Sequence, residues 1–577
     1  MTKARPPNVD VVAAVLVAVS LAAFAVIRIQ FVDVPWHLAT ERLARQLGHW
    51  PTRNTFSFTF PEHPIYQQYP LFQAALGAVY RAAGWEGLSL LSAAGWSGVF
   101  ALFVCWAGPL RRAIALHLPW MIGLWALQRR MILRPDLFTM LALGSMLCLI
   151  EAHRRGRRWA IGLVPLVHLA WVNSHQLFPV SLGVQGLYAA HLLLARWSAA
   201  RAASGDRAFG VDATDARVPV WPALAALAAS AALCFATPLG LDVLKVTAQT
   251  AESLTRMRDQ VSEFTPIWKM QLELVLGLAT GVPAAVALVW ARRRWSPFDV
   301  GLWLMSLALV VAAVRGLMFF GIVSVAVLQR TLVRTRAGDA RSAGIGPAAT
   351  RTLRWIGVVA TALLAATVVF NRWVRPPMAL GGTQPGLGRT YGGWADAATS
   401  FIRRAPPPGR MMNMAWTSGN ALIWELPDLG VFVDPRFETY PHDFLREVAD
   451  AYLDDDKTAA LIERWNIKWV FAEHFRPHIR ARSLELLRRG WEPVYVDSDH
   501  LILVRPTPET AAYRAIHRID LSRATPQDLL PATGELSALR QQQETRFAAL
   551  LQDLRARPAP PTSRRDTRPA TPPSPAP

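Results

Sequence analysis

The sequence predicts a mainly α, polytopic helical membrane bundle of about 11 transmembrane helices, followed by a small α/β extracytoplasmic domain. Three observations predict it. Of the 577 residues, 52% are hydrophobic, and the mean hydropathy is +0.22. The apolar residues gather into long runs, and arginine clusters separate the runs. Beyond residue 376 the runs give way to short strand-like and helix-like stretches between Pro and Gly pairs.

Charged residues make up only 18% of the chain, against about 25% in a soluble globular protein. That excludes one large cytosolic enzyme and a disordered chain. The net charge of +20 does not point to nucleic acid. The arginines sit between apolar runs, as the positive-inside rule expects of a membrane protein. Membrane lipid is therefore the expected partner, and no nucleic acid. Cys105, Cys148 and Cys234 all lie in apolar runs and read as packing residues.

The first apolar run, Val11 to Ile27, follows Lys3 and Arg5 and carries no small-residue cleavage site, so it reads as a retained helix with a cytoplasmic start. Further runs fall near 88–107, 113–128, 136–150, 160–172, 177–195, 221–236, 271–290, 297–313, 317–329 and 354–371. A shorter piece at 71–83 reads as a re-entrant or surface helix. Residues 113–150, 160–195 and 297–329 are each bounded by basic residues at both ends. Both ends then lie on one side, and each run is a hairpin. This places the amino terminus and the arginine clusters in the cytoplasm. It places 29–87, the tips near 129–135 and 173–176, the segment 237–269, Arg315 and everything after 372 outside.

The expected organisation is a transmembrane domain over 1–375 with a large first outer loop at 29–87. An extracytoplasmic α/β domain follows over 376–505, then a polar helical extension over 506–556 and a disordered Pro-rich tail over 557–577. In the α/β domain, strand-like runs appear at Val431–Asp434, Lys468–Ala472, Val494–Val496 and Leu501–Val504, with helix-like stretches near 443–453, 457–465 and 478–489. The domain reads as a lid or an acceptor-binding module. Asp454-Asp455-Asp456 reads as a helix start. Asp434-Pro435-Arg436 ends an apolar strand-like run and is either a ligand-facing strand end or a strand-end turn with a surface ion pair.

The outer segments hold the unusual polar residues: Asp33, Trp36 and His37; Arg134 and Asp136; Asn173 and His175; Glu263; and Arg315. Ionisable groups at membrane depth are costly and tend to line cavities. Five segments delivering them to one side point to one shared outward cavity. Each also has a plainer reading. Asp33 could cap a helix, Trp36 could anchor at the interface, and the histidines could be polar residues at headgroup level. Arg134 and Arg315 could hold lipid phosphates, and Asp136 could pair with Arg134 or Arg130.

The segment Asp33–Thr59, with Trp36-His37-Leu38 and Phe56-Ser57-Phe58-Thr59, resembles the first outer loop of a large family of bacterial polytopic proteins. Arg134-Pro135-x-Leu137-Phe138, Trp171-x-Asn173-x-His175, Pro238-x-Gly240, Glu263, Arg315, Asn413 and Val433-Asp434-x-Arg436 match in order and spacing. That family is similar to integral-membrane glycosyltransferases of the C-type (GT-C) fold. The resemblance implies a polyprenyl-phosphate sugar donor, an unknown acceptor and a site at the outer face of the inner membrane. Asp33 would be the catalytic acid/base, and Arg134 and Arg315 would hold the donor phosphate. His37, Asn173 and His175 would bind sugar hydroxyls or orient the acid, and Trp36, Asp136 and Glu263 would complete the substrate site.

The sequence departs from the family pattern at Asn54 and near Gln68, where acidic residues are expected, and at Gln176 and Thr237. Fewer carboxylates then remain for a divalent cation, the one cofactor the resemblance allows, and no metal ligand is assigned. A transporter or a non-catalytic component of envelope assembly stands as the alternative. A transporter calls for ionisable residues through the bilayer centre, and the runs hold chiefly His168 and Glu273.

Overall fold

The computed structural model describes residues 9–30, 32–108, 117–203, 214–256, 258, 262–291, 296–339, 347–370, 373, 384–390, 394–521 and 537–555. Lys3, Arg5, the clusters Arg111-Arg112 and Arg292-Arg293-Arg294, the linker residues of 376–382 and the tail over 557–577 lie outside the described residues. The chain divides into two units. One comprises Met1–Thr55 and Phe60–Trp394, the other Phe56–Thr59 and Ala395–Pro577.

Every apolar run of the first unit is helical over most of its described residues. The helices are α1 (Val9–Ala25), α2 (Val34–Leu47), α3 (Pro70–Ala107), α4 (His117–Leu127), α5 (Pro135–Arg154), α6 (Val164–Val172), α7 (Pro179–Ala203), α8 (Trp221–Leu233), α9 (Asp242–Arg256), α10 (Gln271–Trp290), α11 (Pro297–Ala312), α12 (Leu317–Asp339) and α13 (Pro347–Val369). The runs at 71–83 and 88–107 join into α3 across a kink. Gly84 there takes φ 59° and ψ −152°, a conformation open in practice only to glycine. Among the described residues, four helices are long and apolar enough to cross a membrane: Pro70–Ala107, Pro135–Arg154, Gln271–Trp290 and Val314–Thr335. Five further apolar helices are shorter. The chain is a helical membrane protein.

The helices pack closely where side chains are small. α3 lies along α5, and α10 along α12. A Cβ on Gly281 of α10 would stand 2.4 Å from the Phe320 ring of α12.

One end of this bundle is tied by buried ions. Arg154 holds Asp215 through Nε and Nη2 at 3.1 and 2.7 Å, and His191 Nε2 reaches the same carboxylate at 3.0 Å. Arg330 meets Glu151 at 2.9 Å, Asp299 at 3.2 Å and the Trp106 carbonyl at 2.6 Å. Arg334 meets Asp299 at 2.7 Å. These contacts join α3, α5, α7, α11 and α12.

The second unit is a small α/β domain: α14 (Asp396–Arg404), β1 (Arg410–Asn413), α15 (Trp416–Glu425), α16 (His442–Ala451), α17 (Asp455–Arg464), β2 (Ile467–Glu473), α18 (Pro477–Arg488), β3 (Glu492–Val496), β4 (His500–Val504), α19 (Ala511–His517) and α20 (Ser537–Arg555). The sheet order is β1-β2-β4-β3, with β1 parallel to β2 and the other pairs antiparallel. All seven residues of β2 are buried, as a strand covered on both faces requires. Asp454 caps α17, accepting from the backbone N–H of Asp456 and Lys457 at 2.9 and 3.0 Å, which confirms it as a helix start.

The run Val431–Asp434 is not a strand. Ser57 pairs with Val431 in an isolated bridge, and side chains take the remaining polar groups. Asn413 Oδ1 accepts from the N–H of Phe432 and Val433 at 3.1 and 3.2 Å, and its Nδ2 donates to Val433 O at 2.7 Å. Ser57 and Thr59 donate to the carbonyls of Val431 and Phe432. Asp434 and Arg436 form a buried pair rather than a surface one, bonded through Nε and Nη2 at 2.8 and 2.7 Å, and Tyr440 donates to the same carboxylate at 2.6 Å.

Candidate functional site

Six charged side chains from segments far apart in sequence meet in the first unit. Asp33 stands at the N-cap position of α2, yet its side chain makes no capping bond. Its Oδ2 lies 2.6 Å from Arg134 Nε instead. The capping reading of Asp33 is thereby replaced by an ion pair. Arg134 precedes Pro135, which disfavours the helical region for it. It is accordingly extended, at φ −140° and ψ 165°, and opens α5. Pro135 suits the first helical position because that N–H has no partner in any case. Asp136 follows in the first turn, where a carboxylate complements the helix dipole.

Three one-turn 3-10 helices deliver the rest. Arg130 ends Gln128–Arg130, Glu263 lies in Ser262–Phe264 and Arg315 in Val314–Gly316. The last two turns are joined by a backbone bond from Val314 N to Thr265 O at 2.9 Å. Glu263 bridges two guanidinium groups, Arg134 Nη1 at 2.6 Å and Arg130 Nη2 at 2.8 Å. Arg130 Nη1 also reaches Asp136 Oδ2 at 3.3 Å. Arg315 Nη2 stands 3.6 Å from Asp136 Oδ1, and Arg315 Nε is buried without a hydrogen-bond partner. Three carboxylates thus face three arginines, and Arg315 is the least engaged. A cavity of about 230 Å³ opens beside them, lined in part by Gln128, Arg130, Glu263, Glu273 and Arg315.

The histidines sit behind the ions in fixed orientations. Trp171 Nε1, which can only donate, bonds Thr139 Oγ1 at 2.9 Å. The Thr139 hydroxyl is then free to donate to His175 Nδ1, 2.7 Å away. His175 therefore carries its proton on Nε2, which faces Asp136 Oδ1 at 3.7 Å. Gln67 donates to Gln73 Oε1 at 2.6 Å, which turns the Gln73 amide nitrogen toward His37 Nδ1 at 3.1 Å. Trp36 stacks on His37 with ring centres 3.5 Å apart, and Tyr69 stands edge-on to His37 and 6.2 Å from His175. Among the described residues, Asn173 makes no ion pair or hydrogen bond to the six charged side chains. Its amide donates to the carbonyls of Leu169 and Ala236 at 3.0 and 2.9 Å, and its own carbonyl accepts from Leu71 N at 2.8 Å. It is a strut between α6, α3 and the segment after α8.

Burial and neighbouring charge set the protonation states. Burial, seconded by Arg134 and His175, pushes His37 well below the ordinary histidine range. Burial pushes His175 down to about 4, against the opposing pull of Asp136. Both rings are neutral near pH 7. Burial lifts Asp33 above the ordinary aspartate value while Arg134 pulls the other way. For Glu263, burial is outweighed by Arg134, Arg130 and Arg315 together, which hold it well below the carboxylate range.

Sequence reasoning named Asp33, Trp36, His37, Arg134, Asp136, His175, Glu263 and Arg315, and all of them stand in or against this cluster. It missed Thr139, Gln73 and Gln67, and it treated Arg130 only as an optional partner. The donor set does not fit a divalent cation. Every carboxylate is paired with a guanidinium, Asn54 and Gln68 are amides, and no group of three His, Cys, Asp or Glu suited to a metal occurs among the described residues.

No protein-family model matches the chain, and no curated protein matches it in sequence. Solved structures do align with it. The archaeal oligosaccharyltransferase AglB from Archaeoglobus fulgidus, solved with an inhibitory peptide and a dolichol-phosphate, aligns at a TM-score of 0.51 and 12% identity, over 84% of this chain and 72% of that one. ArnT from Cupriavidus metallidurans bound to undecaprenyl phosphate aligns at 0.44 and 12% identity, over 87% of this chain and 98% of that one. The chain is a membrane protein with a GT-C-like fold.

Proposed function

We propose that this protein is an integral-membrane glycosyltransferase of the bacterial inner membrane. It transfers a sugar from a polyprenyl-phosphate-linked donor to an acceptor at the outer face. The amino terminus is cytoplasmic and the C-terminal unit extracytoplasmic, as the placement of the arginine clusters favours. One observation carries the reading: Arg315, with an unpartnered buried Nε, lines a cavity of about 230 Å³ together with Arg130 and Glu263, and Glu263 in turn bonds Arg134, the partner of Asp33. A phosphate is the ligand that two neighbouring guanidinium groups bind best.

In this reading Arg315 and Arg134 hold the donor phosphate. The acceptor oxygen attacks the anomeric carbon as the bond to the phosphate oxygen breaks, and the polyprenyl phosphate leaves. The Asp33 carboxylate takes the acceptor proton. Neutral His37 and His175 each offer an Nε2–H to sugar hydroxyls. The close Asp33–Arg134 contact also favours a second reading, a non-catalytic envelope component in which Asp33 serves only as a counter-ion.

The test is purification in detergent with mass spectrometry of retained lipids, followed by transfer assays with the lipid identified. Wild type is expected to retain a polyprenyl-phosphate sugar, and Arg315→Ala to lose it. Asp33→Asn should retain it and turn over about 10²- to 10⁴-fold more slowly. Ordinary phospholipid alone, unchanged by either substitution, would remove the transferase reading. Retained donor with full activity in Asp33→Asn would remove Asp33 as the base.

A further inference from the structure

We infer that Glu263 is a built-in competitor of the anionic donor, an internal carboxylate that holds the phosphate-binding Arg134, together with its neighbour Arg130, until the lipid displaces it. The inference rests on the donor reading above and concerns the regulation of that same site. A residue at this position reads from sequence as one more substrate-binding group. The geometry points the other way. Both Glu263 oxygens are taken, one by Arg134 Nη1 at 2.6 Å and one by Arg130 Nη2 at 2.8 Å. Glu263 thus bridges two guanidinium groups, one oxygen to each, as two oxygens of a phosphate monoester or diester could. An anion cannot take them while Glu263 remains.

Glu263 is also the carboxylate best placed to leave. Its side chain is 35% exposed, against 23% for Asp33 and 5% for Asp136. It rides on a single 3-10 turn, whereas Asp136 is built into the first turn of α5. Moving it into water therefore recovers solvation that the other two carboxylates could not regain. Without a ligand the cluster is neutral, with three carboxylates facing three guanidinium groups, so no buried charge is left uncompensated. With the lipid bound, the phosphate takes over the compensation, and Glu263 swings out along the wall of the cavity it already lines. The same exchange loosens Arg134, which otherwise grips Asp33. Donor arrival would then release the base for the acceptor.

The experiment measures binding of a synthetic polyprenyl monophosphate, in nonionic detergent micelles, to wild type, Glu263→Gln, Glu263→Asp and Arg315→Ala full-length chains. Glu263→Gln is expected to bind at least tenfold more tightly, because the cluster then carries one excess positive charge. Glu263→Asp, whose shorter side chain cannot span both arginines, should fall between. Arg315→Ala should bind at least tenfold more weakly. Should Glu263→Gln not stay monodisperse, Glu263→Asp alone decides by its direction. Unchanged or weaker binding in the Glu263 variants, with Arg315→Ala weakened, overturns the competitor role and leaves the donor reading standing. Binding by every chain that is no better than to a phosphatidylglycerol control overturns both.

Discussion

Thr139 holds two side chains that would otherwise bury unpaired polar atoms. It accepts from Trp171 Nε1 and donates to His175 Nδ1, and all three residues are buried. Removing the hydroxyl strands both partners, at a cost of about 1–3 kcal/mol per unsatisfied group. Thr139→Val should therefore lower the detergent-solubilised unfolding temperature by several degrees, and Thr139→Ser should restore most of it. Equal melting of all three chains would show that the hydroxyl orients nothing.

Thr139 also marks where the sequence stops being informative. Asp33, Arg134, Asp136, Glu263 and Arg315 stand out in the chain because an ionisable group beside an apolar run is costly and must have a purpose. A threonine or a glutamine in such a run is ordinary. Its importance depends on which indole or imidazole comes within 3 Å, and that is decided by helices thirty residues apart. Asn173 shows a different limit: the sequence marks it as a motif position, and only the fold shows that its amide nitrogen ties two backbone carbonyls together.

At the scale of elements, the apolar runs were legible because each had to become a helix to satisfy its backbone in lipid. The second unit was legible only where strands pair with strands. β2, β3 and β4 fall on runs readable from the sequence. Val431–Asp434 has the same apolar composition but meets Asn413, Ser57 and Thr59 in place of a neighbouring strand. β1 is only four residues long, too short for its pattern to register.

The β3–β4 hairpin carries its own prediction. Asp497 accepts from the N–H of Asp499 and His500 and from Tyr495 OH, and it lies 3.3 Å from His500 Nδ1. For His500 burial works against the proton, but Asp497 prevails and raises the ring to about 9. A histidine whose pKa is higher folded than unfolded stabilises fully below its unfolded value of about 6.5. That stabilisation is lost as pH rises through the folded value. The unfolding temperature of the C-terminal unit should thus fall between roughly pH 6.5 and 9. His500→Gln should flatten the profile over that window, as differential scanning calorimetry can check. An unaltered slope would place the titration elsewhere.

At the scale of the membrane unit, two ionic clusters stand on the same helices. Asp136 and Glu151 lie fifteen residues apart on α5, as do Arg315 and Arg330 across the turn that leads into α12. That separates the clusters by about 22 Å along each helix, most of the roughly 30 Å hydrocarbon thickness. The Asp33 end sets three acids against three arginines, whereas at the Glu151 end Arg155 and His191 join Arg154, Arg330 and Arg334 around three acids, and the two differ in tightness. In the cluster at the Glu151 end no buried nitrogen of Arg154, Arg330 or Arg334 lacks a hydrogen-bond partner, and the cluster joins five helices. The cluster at the Asp33 end leaves Arg315 partly free beside a cavity. One end of the bundle is locked, and the other is left able to bind.

Asp299→Asn tests that asymmetry. It leaves Arg330 and Arg334 buried with one carboxylate fewer, and breaking a buried pair in this way costs about 3–5 kcal/mol. The expected result is a marked loss of thermal stability, partly recovered when Arg334→Gln removes the excess charge. Sites this far apart couple weakly, so affinity for a polyprenyl monophosphate should shift by less than about twofold. If the protein instead carried its substrate across the membrane, the locked end would have to open in every cycle. Asp299→Asn would then change the traffic of lipid between leaflets in reconstituted vesicles at temperatures where the fold is intact. Stability lost with no such change favours a fixed scaffold that works from one face.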